Sequence, residues 1–128
     1  MANTFHKKER LCSKKQIDLL FEKGGTISAY PIKLIYLGKK NETKAEVKAM
    51  FVVPKKKFRH ANDRNTLKRR MRESYRLQKG EFYISLGKYD LNLALLYYAN
   101  KAEEYDTIYK ATAKLLNNLT KQISTSGA

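Results

Sequence analysis

The clearest chemical signal in the sequence is the positive charge between Pro54 and Lys79. This stretch holds eleven lysines and arginines but only two acids, Asp63 and Glu73. Such a density of cations favours a polyanion as ligand, because few neighbouring carboxylates neutralise them. Arginine suits phosphate in particular, since its planar guanidinium can donate two parallel hydrogen bonds. The stretch therefore predicts a phosphate-binding surface.

The spacing of these residues predicts that they share one face of a helix. We expect this helix from about Asn62, where an Asn/Asp pair can cap it, to Gly80, which would end it. With about 100° between successive residues, a cationic group falls within an arc of roughly 140°, and an apolar group lies opposite. The first group, cationic except for Asn65, is Arg64, Asn65, Lys68, Arg69, Arg72, Arg76 and Lys79. The second group, apolar except for Ser74, is Leu67, Met71, Ser74 and Tyr75.

A charged helix face often has no ligand and is only solvated, and this is the simpler alternative. Three features favour a ligand. Acids four residues away are nearly absent, so repulsion among the cations is uncompensated. Arginine outnumbers lysine on the face, and Asn65, whose amide both donates and accepts hydrogen bonds, lies within it.

The sequence offers no comparable candidate for catalysis or metal binding. A hydrolase needs a nucleophile with a base, or clustered carboxylates that hold a metal. The twelve acids are scattered, His6 and His60 have no ligand partners nearby in the sequence, and Cys12 is the only cysteine. We therefore expect no catalytic residue, no metal site and no disulfide on this chain. A metal-dependent nuclease that acts alone is the alternative class.

Length and composition predict one basic domain, residues 1–128. The chain is long enough for a single core, and 27 basic against 12 acidic residues give a net charge of +15, which favours a nucleic acid as partner. The single cysteine fits a reducing cytoplasm, and no stretch approaches a membrane span. Binding of the basic helix to an anionic membrane is an alternative, but its narrow apolar stripe is better suited to docking on a sheet.

The elements that position the basic helix follow from local patterns. Ser13 and Gln16 form a capping box for a short amphipathic helix that ends at Gly24. Alternation predicts two antiparallel strands, residues 31–37 and 47–53. A nearly continuous apolar run at residues 90–98 predicts a central strand that pairs with the strand ending near Val53.

The remaining segments are a connector and the two ends of the chain. Residues 81–89 are expected to connect the basic helix to the central strand. The acids Glu103, Glu104 and Asp106 mark the start of a last helix, whose apolar stripe reaches Ile123. Residues 1–11 are expected to be extended, and residues 124–128 to form a frayed tail.

The run from Arg64 to Glu73, RNTLKRRMRE, resembles the signature helix of the protein subunit of bacterial ribonuclease P. In that family an Arg-Asn pair is followed by an apolar residue, by Lys-Arg and by a further Arg-Glu. The matching positions are Arg64, Asn65, Leu67, Lys68, Arg69, Arg72 and Glu73. Asn62, Thr66 and Arg70 depart from the family pattern. The resemblance covers most of the chain.

The resemblance implies a fold. It is a single α+β domain in the order α-β-β-β-α-β-α, with a mostly antiparallel four-stranded sheet, similar to a domain of a ribosomal protein. The resemblance also implies a left-handed β-α-β crossover, whereas general statistics favour a right-handed one.

The resemblance also implies a function, which is to assist a catalytic RNA in removing the 5′ leader of precursor tRNA. The RNA subunit would hold the magnesium and perform the cleavage, and this chain would bind ribonuclease P RNA and precursor tRNA, with no DNA or membrane partner. The residues implied to bind the RNA subunit are Arg64, Asn65, Lys68, Arg69, Arg72, Arg76, Lys55 and Lys56. Those implied to bind the single-stranded leader are Ile17, Phe21, Tyr36 and Phe51.

Two alternatives remain open for these expectations. Ile17 and Phe21 fit a plain core role equally well, and Tyr36 fits a buried tyrosine with a bonded hydroxyl. A ribosomal-type structural RNA-binding protein is the competing class, which the composition alone supports equally. The arginine-rich motif and the order of elements favour ribonuclease P over it.

Overall fold

The computed structural model describes residues 9–40, 46–87 and 89–126, and these form three helices and one sheet. The elements are α1 (Lys14–Lys23), β1 (Gly25–Ala29), β2 (Ile32–Lys40), β3 (Glu46–Val52), α2 (Ala61–Leu86), β4 (Tyr89–Tyr97) and α3 (Tyr105–Ser126). The predicted α+β class and element order are confirmed. Most of the expected extended segment 1–11, and the last two residues of the expected tail, lie outside the described residues.

The sheet has the strand order β1-β2-β4-β3. β2 pairs antiparallel with β1 and with β4, while β3 pairs parallel with β4. The predicted pairing of the apolar strand with the strand ending near Val53 is therefore confirmed. β2 and β3 run in opposite directions, as predicted, but β4 lies between them, so they are not neighbours. Helix α2 makes the crossover between the parallel strands β3 and β4.

Both faces of the sheet are covered by helices, which explains the continuous apolar run of β4. Alternate residues of a strand point to opposite faces. Leu93 and Leu95 pack with α2 and α3 on one face, whereas Ala94 packs with Leu20 of α1 on the other. The main core on the α2/α3 face includes Leu34, Leu67, Met71, Leu93, Leu95, Ile108, Leu115 and Leu119.

Helix α2 continues through Gly80 to Leu86, so the predicted end at Gly80 and the predicted connector at residues 81–89 are wrong. The apolar side of the helix continues beyond the glycine, with Phe82 only 4% exposed and Leu86 only 8% exposed. Burial of a large apolar side chain contributes about 1.5–3 kcal/mol, which outweighs the cost of about 1 kcal/mol for a helical glycine. The helix ends instead at Gly87, whose φ of 75° suits glycine.

The segment before α1 runs along the edge of the sheet. Arg10 forms a parallel bridge with Ala49 of β3, and the Leu11 amide donates to the Ala49 carbonyl at 3.0 Å. Ser13 caps α1 by accepting from the Gln16 amide at 3.3 Å, as the capping box predicted. We call residues 9–11 the N-terminal strap. Across the described residues, no helix combines the length and apolar character needed to cross a membrane.

Candidate nucleic-acid interface

Helix α2 buries the side that the sequence predicted. Leu67, Met71, Ser74 and Tyr75 are all fully buried against the sheet and α3. The two polar residues are hydrogen-bonded, because the Ser74 hydroxyl donates to the Arg70 carbonyl at 2.8 Å and the hydroxyls of Tyr75 and Tyr83 lie 3.0 Å apart. The opposite side of α2 is thereby turned outward.

The outward side of α2 has a central group of polar and cationic residues, which we call the basic face: Asn65, Lys68, Arg69 and Arg72. Lys68 is partly buried, and the other three are exposed. Within the described part of the chain, Lys68 and Arg69 form no ion pair. Their charge is therefore not neutralised inside the protein, and a phosphate backbone is the complementary ligand.

Arg64, at the start of α2, makes hydrogen bonds that stabilise the loop before the helix. Its guanidinium donates to the carbonyls of Phe58 at 2.8 Å and Arg59 at 3.0 Å. These bonds fix the loop before the helix, in which Lys55 and Lys56 are exposed. The loop thus presents two more cations beside the positive end of the helix dipole.

Arg76 shares its charge with a neighbouring acid. Its Nη2 lies 2.7 Å from Glu73 Oε1 and its Nε lies 3.2 Å from Oε2. The hydrogen bond from Arg76 lowers the pKa of the Glu73 carboxyl, which therefore stays charged. Arg76 offers less free charge to a phosphate than Arg69 does.

Lys79 does not lie on the basic face, so its predicted place there is wrong. It is only 6% exposed, and its Nζ donates to the two carboxylate oxygens of Glu9 at 2.6 and 2.7 Å. The Tyr83 hydroxyl donates to the same carboxylate at 2.8 Å. The helical arc alone could not reveal this, because Glu9 lies in the N-terminal strap, 70 residues earlier in the sequence.

Arg70, which departs from the family pattern, also makes its hydrogen bond within the protein. Its Nη1 donates to the carbonyl of Glu103 at 2.7 Å and so ties α2 to the loop before α3. An arginine at a partly buried position is thereby satisfied by a backbone acceptor.

The four residues expected at the leader do not come together on one surface. Tyr36 and Phe51 pack on the α2/α3 face, where the Phe51 and Tyr75 ring centroids lie 5.8 Å apart. Ile17 and Phe21 belong to α1, on the other face, where Phe21 is 44% exposed. The resemblance implied that all four residues bind the leader, and the structure places them on opposite faces of the sheet. The reason is strand alternation, since Ile35 faces α1 and Tyr36 points away from it.

A cleft does lie between α1 and the sheet, with a different lining. Its volume is about 420 Å³. It is lined by Gln16, Leu19, Leu37, Gly38, Glu46, Lys48, Asp90, Leu91 and Asn92. Lys48 and Asn92 are register partners on β3 and β4, as are Glu46 and Asp90. Sequence reasoning missed this cleft because its lining comes from four elements, although the polar alternation of β3 was a usable signal.

The acids and the cysteine do not form a metal site in the part of the chain that is described. Nowhere there do three or more His, Cys, Asp or Glu residues cluster closely enough to hold a metal ion. Cys12 is a free, exposed thiol.

The fold and the basic face together define a small, basic α+β protein with a surface suited to a polyanion. A sequence model of the family described as Ribonuclease P matches residues 5–120. The ribonuclease P protein component of Porphyromonas gingivalis is 32% identical over 124 residues, which cover 94% of this chain and 89% of that protein. The chain therefore belongs to the ribonuclease P protein family.

Solved structures show the same fold at lower sequence identity. The ribonuclease P protein from Thermotoga maritima has a TM-score of 0.66 at 22% identity, covering 86% of this chain and 96% of that one. The ribonuclease P protein of Staphylococcus aureus has a TM-score of 0.63 at 17% identity, covering 88% and 96%. These likenesses support the fold that the family assignment implies.

Proposed function

We propose that this protein binds the catalytic RNA of ribonuclease P and the 5′ leader of precursor tRNA, and so assists the RNA in removing that leader. The observation that carries the proposal is the unneutralised basic face of α2 in a member of the ribonuclease P protein family. We assign magnesium mainly to the RNA subunit and no catalytic group to this chain, as the resemblance to the ribonuclease P protein subunit implies. We place this activity in the cytoplasm.

The basic face is the proposed contact with the RNA subunit. Asn65, Lys68, Arg69 and Arg72 would contact phosphates along one line of the helix. Lys55 and Lys56 would add contacts from the loop that Arg64 holds in place. Arg76 would contribute less, because it is paired with Glu73. If about six phosphates are neutralised, affinity should fall about a thousandfold between 50 and 200 mM salt.

The α1 side of the sheet is the proposed contact with the leader. Phe21 offers an exposed ring, and stacking of a base on a ring contributes about 1–3 kcal/mol. Lys48 and Asn92 in the neighbouring cleft provide a cation and an amide for an extended single strand. Tyr36 and Phe51 would support this surface from the other face of the sheet rather than stack on the leader.

A matched pair of charge variants tests the basic face. Arg69→Ala should weaken binding of the RNA subunit and reduce the dependence of log K on log salt by about 0.7–0.9, the value of one lost phosphate contact. Lys110→Ala removes the same charge from α3, where Lys110 pairs with Asp106 at 3.2 Å. It should change neither quantity. Equal effects of both variants would show that only net charge matters.

Phe21→Ala tests the leader site. It should weaken binding of precursor tRNA to the holoenzyme by about 5-fold to 150-fold, the equivalent of 1–3 kcal/mol, because one stacked base is lost. Binding of mature tRNA, which has no leader, should not change. A similar loss for both tRNAs would refute a leader contact at Phe21.

Reconstitution tests the function itself. The protein combined with ribonuclease P RNA and magnesium should increase cleavage of precursor tRNA over that of the RNA alone. The protein without RNA should not cleave. Cleavage by the protein alone would indicate a nuclease, and binding without any effect on cleavage would favour a purely structural RNA-binding role.

A further inference from the structure

An exposed tyrosine, Tyr30, and a partly buried one, Tyr98, form an aromatic pair at the end of the sheet opposite the cleft. Tyr30 lies in the turn between β1 and β2 and is 52% exposed, while Tyr98 directly follows β4. Their ring centroids are 6.0 Å apart with planes at 82°, an edge-to-face arrangement. Neither residue belongs to the basic face, to α1 or to the lining of the cleft.

The pair is held in place before any ligand arrives. The Tyr30 hydroxyl donates to Glu103 Oε2 at 2.8 Å, and the Tyr98 amide donates to the Pro31 carbonyl at 3.0 Å. The hydrogen bond to Glu103 also raises the pKa of the Tyr30 hydroxyl, which therefore remains a neutral donor. A fixed ring binds a base at a lower cost in conformational entropy than a mobile one.

The loop beneath the pair is equally well fixed. The Tyr97 hydroxyl donates to the Lys101 carbonyl and accepts from the Glu103 amide, both at 2.7 Å. Arg70 of α2 donates to the Glu103 carbonyl at 2.7 Å. The aromatic pair is thus connected rigidly to the helix that carries the basic face.

The surroundings of the pair suit a nucleotide. An open depression of about 390 Å³ is lined by Tyr30, Tyr98, Ala99, Asn100 and Lys101. Its rings can stack on a base, the exposed amide of Asn100 can bond to a base edge, and the side chain of Lys101 is 76% exposed. The neighbouring Glu103 side chain is 16% exposed, and its Oε2 accepts from Tyr30 and lies 3.8 Å from the Nζ of Lys101.

The cationic loop also contacts the backbone of one residue that lines the depression. Lys57, which follows Lys55 and Lys56, donates from Nζ to the Tyr98 carbonyl. A single strand whose base stacks at Tyr30 therefore has cations close to its phosphates. The residues that line the depression form no large apolar surface of the kind that a membrane would need. The positive charge around it favours RNA over a basic or neutral peptide.

We propose that the depression at Tyr30 and Tyr98 binds one unpaired nucleotide of an RNA partner by stacking its base on the Tyr30 ring. It is a third RNA contact, separate from both contacts of the proposed function. It does not depend on them, because stacking and backbone attraction bind single-stranded RNA of any sequence.

Three variants of Tyr30 test the site with a short fluorescein-labelled oligoadenylate as probe. Tyr30→Ala should weaken binding by about fivefold or more, since the stacked base is lost. Tyr30→Leu should weaken it as much, because leucine restores apolar volume but offers no ring. Tyr30→Phe keeps the ring, loses only the bond to Glu103, and should bind within about twofold of the original protein. Thermal unfolding checks that each variant is folded.

Two controls separate this site from the rest of the protein. Binding of a duplex RNA should be unchanged by Tyr30→Ala, because paired bases cannot stack on the ring. The loss caused by Tyr30→Ala should persist in the Phe21→Ala background, so a failure at the leader site does not affect the result. The proposal is overturned if Tyr30→Leu binds oligoadenylate like the original protein, or if Tyr30→Phe loses as much affinity as Tyr30→Ala. It is also overturned if Tyr30→Ala weakens the binding of duplex RNA as much as that of oligoadenylate.

Discussion

Two basic residues of the same helix, Lys79 and Arg72, should respond in opposite ways to replacement by methionine. Lys79 is buried and bonded to Glu9, whereas Arg72 is exposed on the basic face. Lys79→Met should lower the free energy of unfolding and leave the RNA affinity of the folded protein unchanged. Arg72→Met should weaken RNA binding and leave the free energy of unfolding within about 0.5 kcal/mol.

The size of the Lys79 effect follows from its surroundings. Removal of one partner from a buried ion pair costs about 3–5 kcal/mol, because the other charge stays buried. The Glu9 side chain is 15% exposed and keeps the hydrogen bond from Tyr83, so we expect a smaller cost of about 2–3 kcal/mol. A domain of this size is stable by about 5–15 kcal/mol, and its Tm should fall by about 6–15 °C.

The assay combines urea unfolding with RNA binding at a temperature at which every variant is folded. The double variant Glu9→Leu with Lys79→Met provides the control. Replacing both charges of a buried pair by apolar groups is often neutral, so the double variant should recover most of the lost stability. Fluorescence anisotropy with the RNA subunit gives the affinity in the same buffer.

One result would refute this reasoning. If Lys79→Met kept its stability and lost RNA affinity as Arg72→Met does, Lys79 would belong to the RNA-binding surface. The helical arc predicted from sequence would then be right, and the ion pair with Glu9 would not represent the protein in solution.

Two further predictions concern α2 and its tyrosines. Gly80→Ala should raise the free energy of unfolding by about 0.5–1 kcal/mol, because alanine is the better helix former and an added Cβ would meet no atom within 4 Å. If urea unfolding showed a lower free energy of unfolding instead, the helix would not continue through this position. Burial raises the pKa of the Tyr75 and Tyr83 hydroxyls above the ordinary value of 10.0. These two hydroxyls therefore make their full contribution to the free energy of unfolding below pH 10. That contribution is lost as pH rises above 10, by up to about 1.4 kcal/mol per pH unit for each group. Tyr83→Phe should make the decline of stability above pH 10 shallower, and an unchanged slope in urea unfolding would contradict this cause.

The sequence predicted the features of this protein that depend on local periodicity. The buried side of α2, from Leu67 to Tyr75, follows from helical spacing alone. The central place of β4 follows from its continuous apolar run, because only a strand covered on both faces needs such a sequence.

The features that depended on distant residues could not be predicted. The extension of α2 past Gly80 depends on the packing of Phe82 against other elements. The burial of the Lys79 side chain depends on its ion pair with Glu9. Leu34 and Tyr36 share a face of β2 because alternate strand residues point the same way, but only the path of the chain decides which face α1 covers. The Tyr30 and Tyr98 pair joins two loops that are far apart in the sequence, and its rings gave no periodic signal.

The N-terminal strap also shields a vulnerable part of the sheet. β3 lies at the edge of the strand order, and an unpaired edge can recruit another chain by backbone hydrogen bonding. The strap covers part of this edge through Arg10 and Leu11 while Glu9 holds it to α2. A protein shortened to begin at Cys12 would lose both attachments, so aggregation, rather than weak RNA binding alone, should be the first sign of its failure.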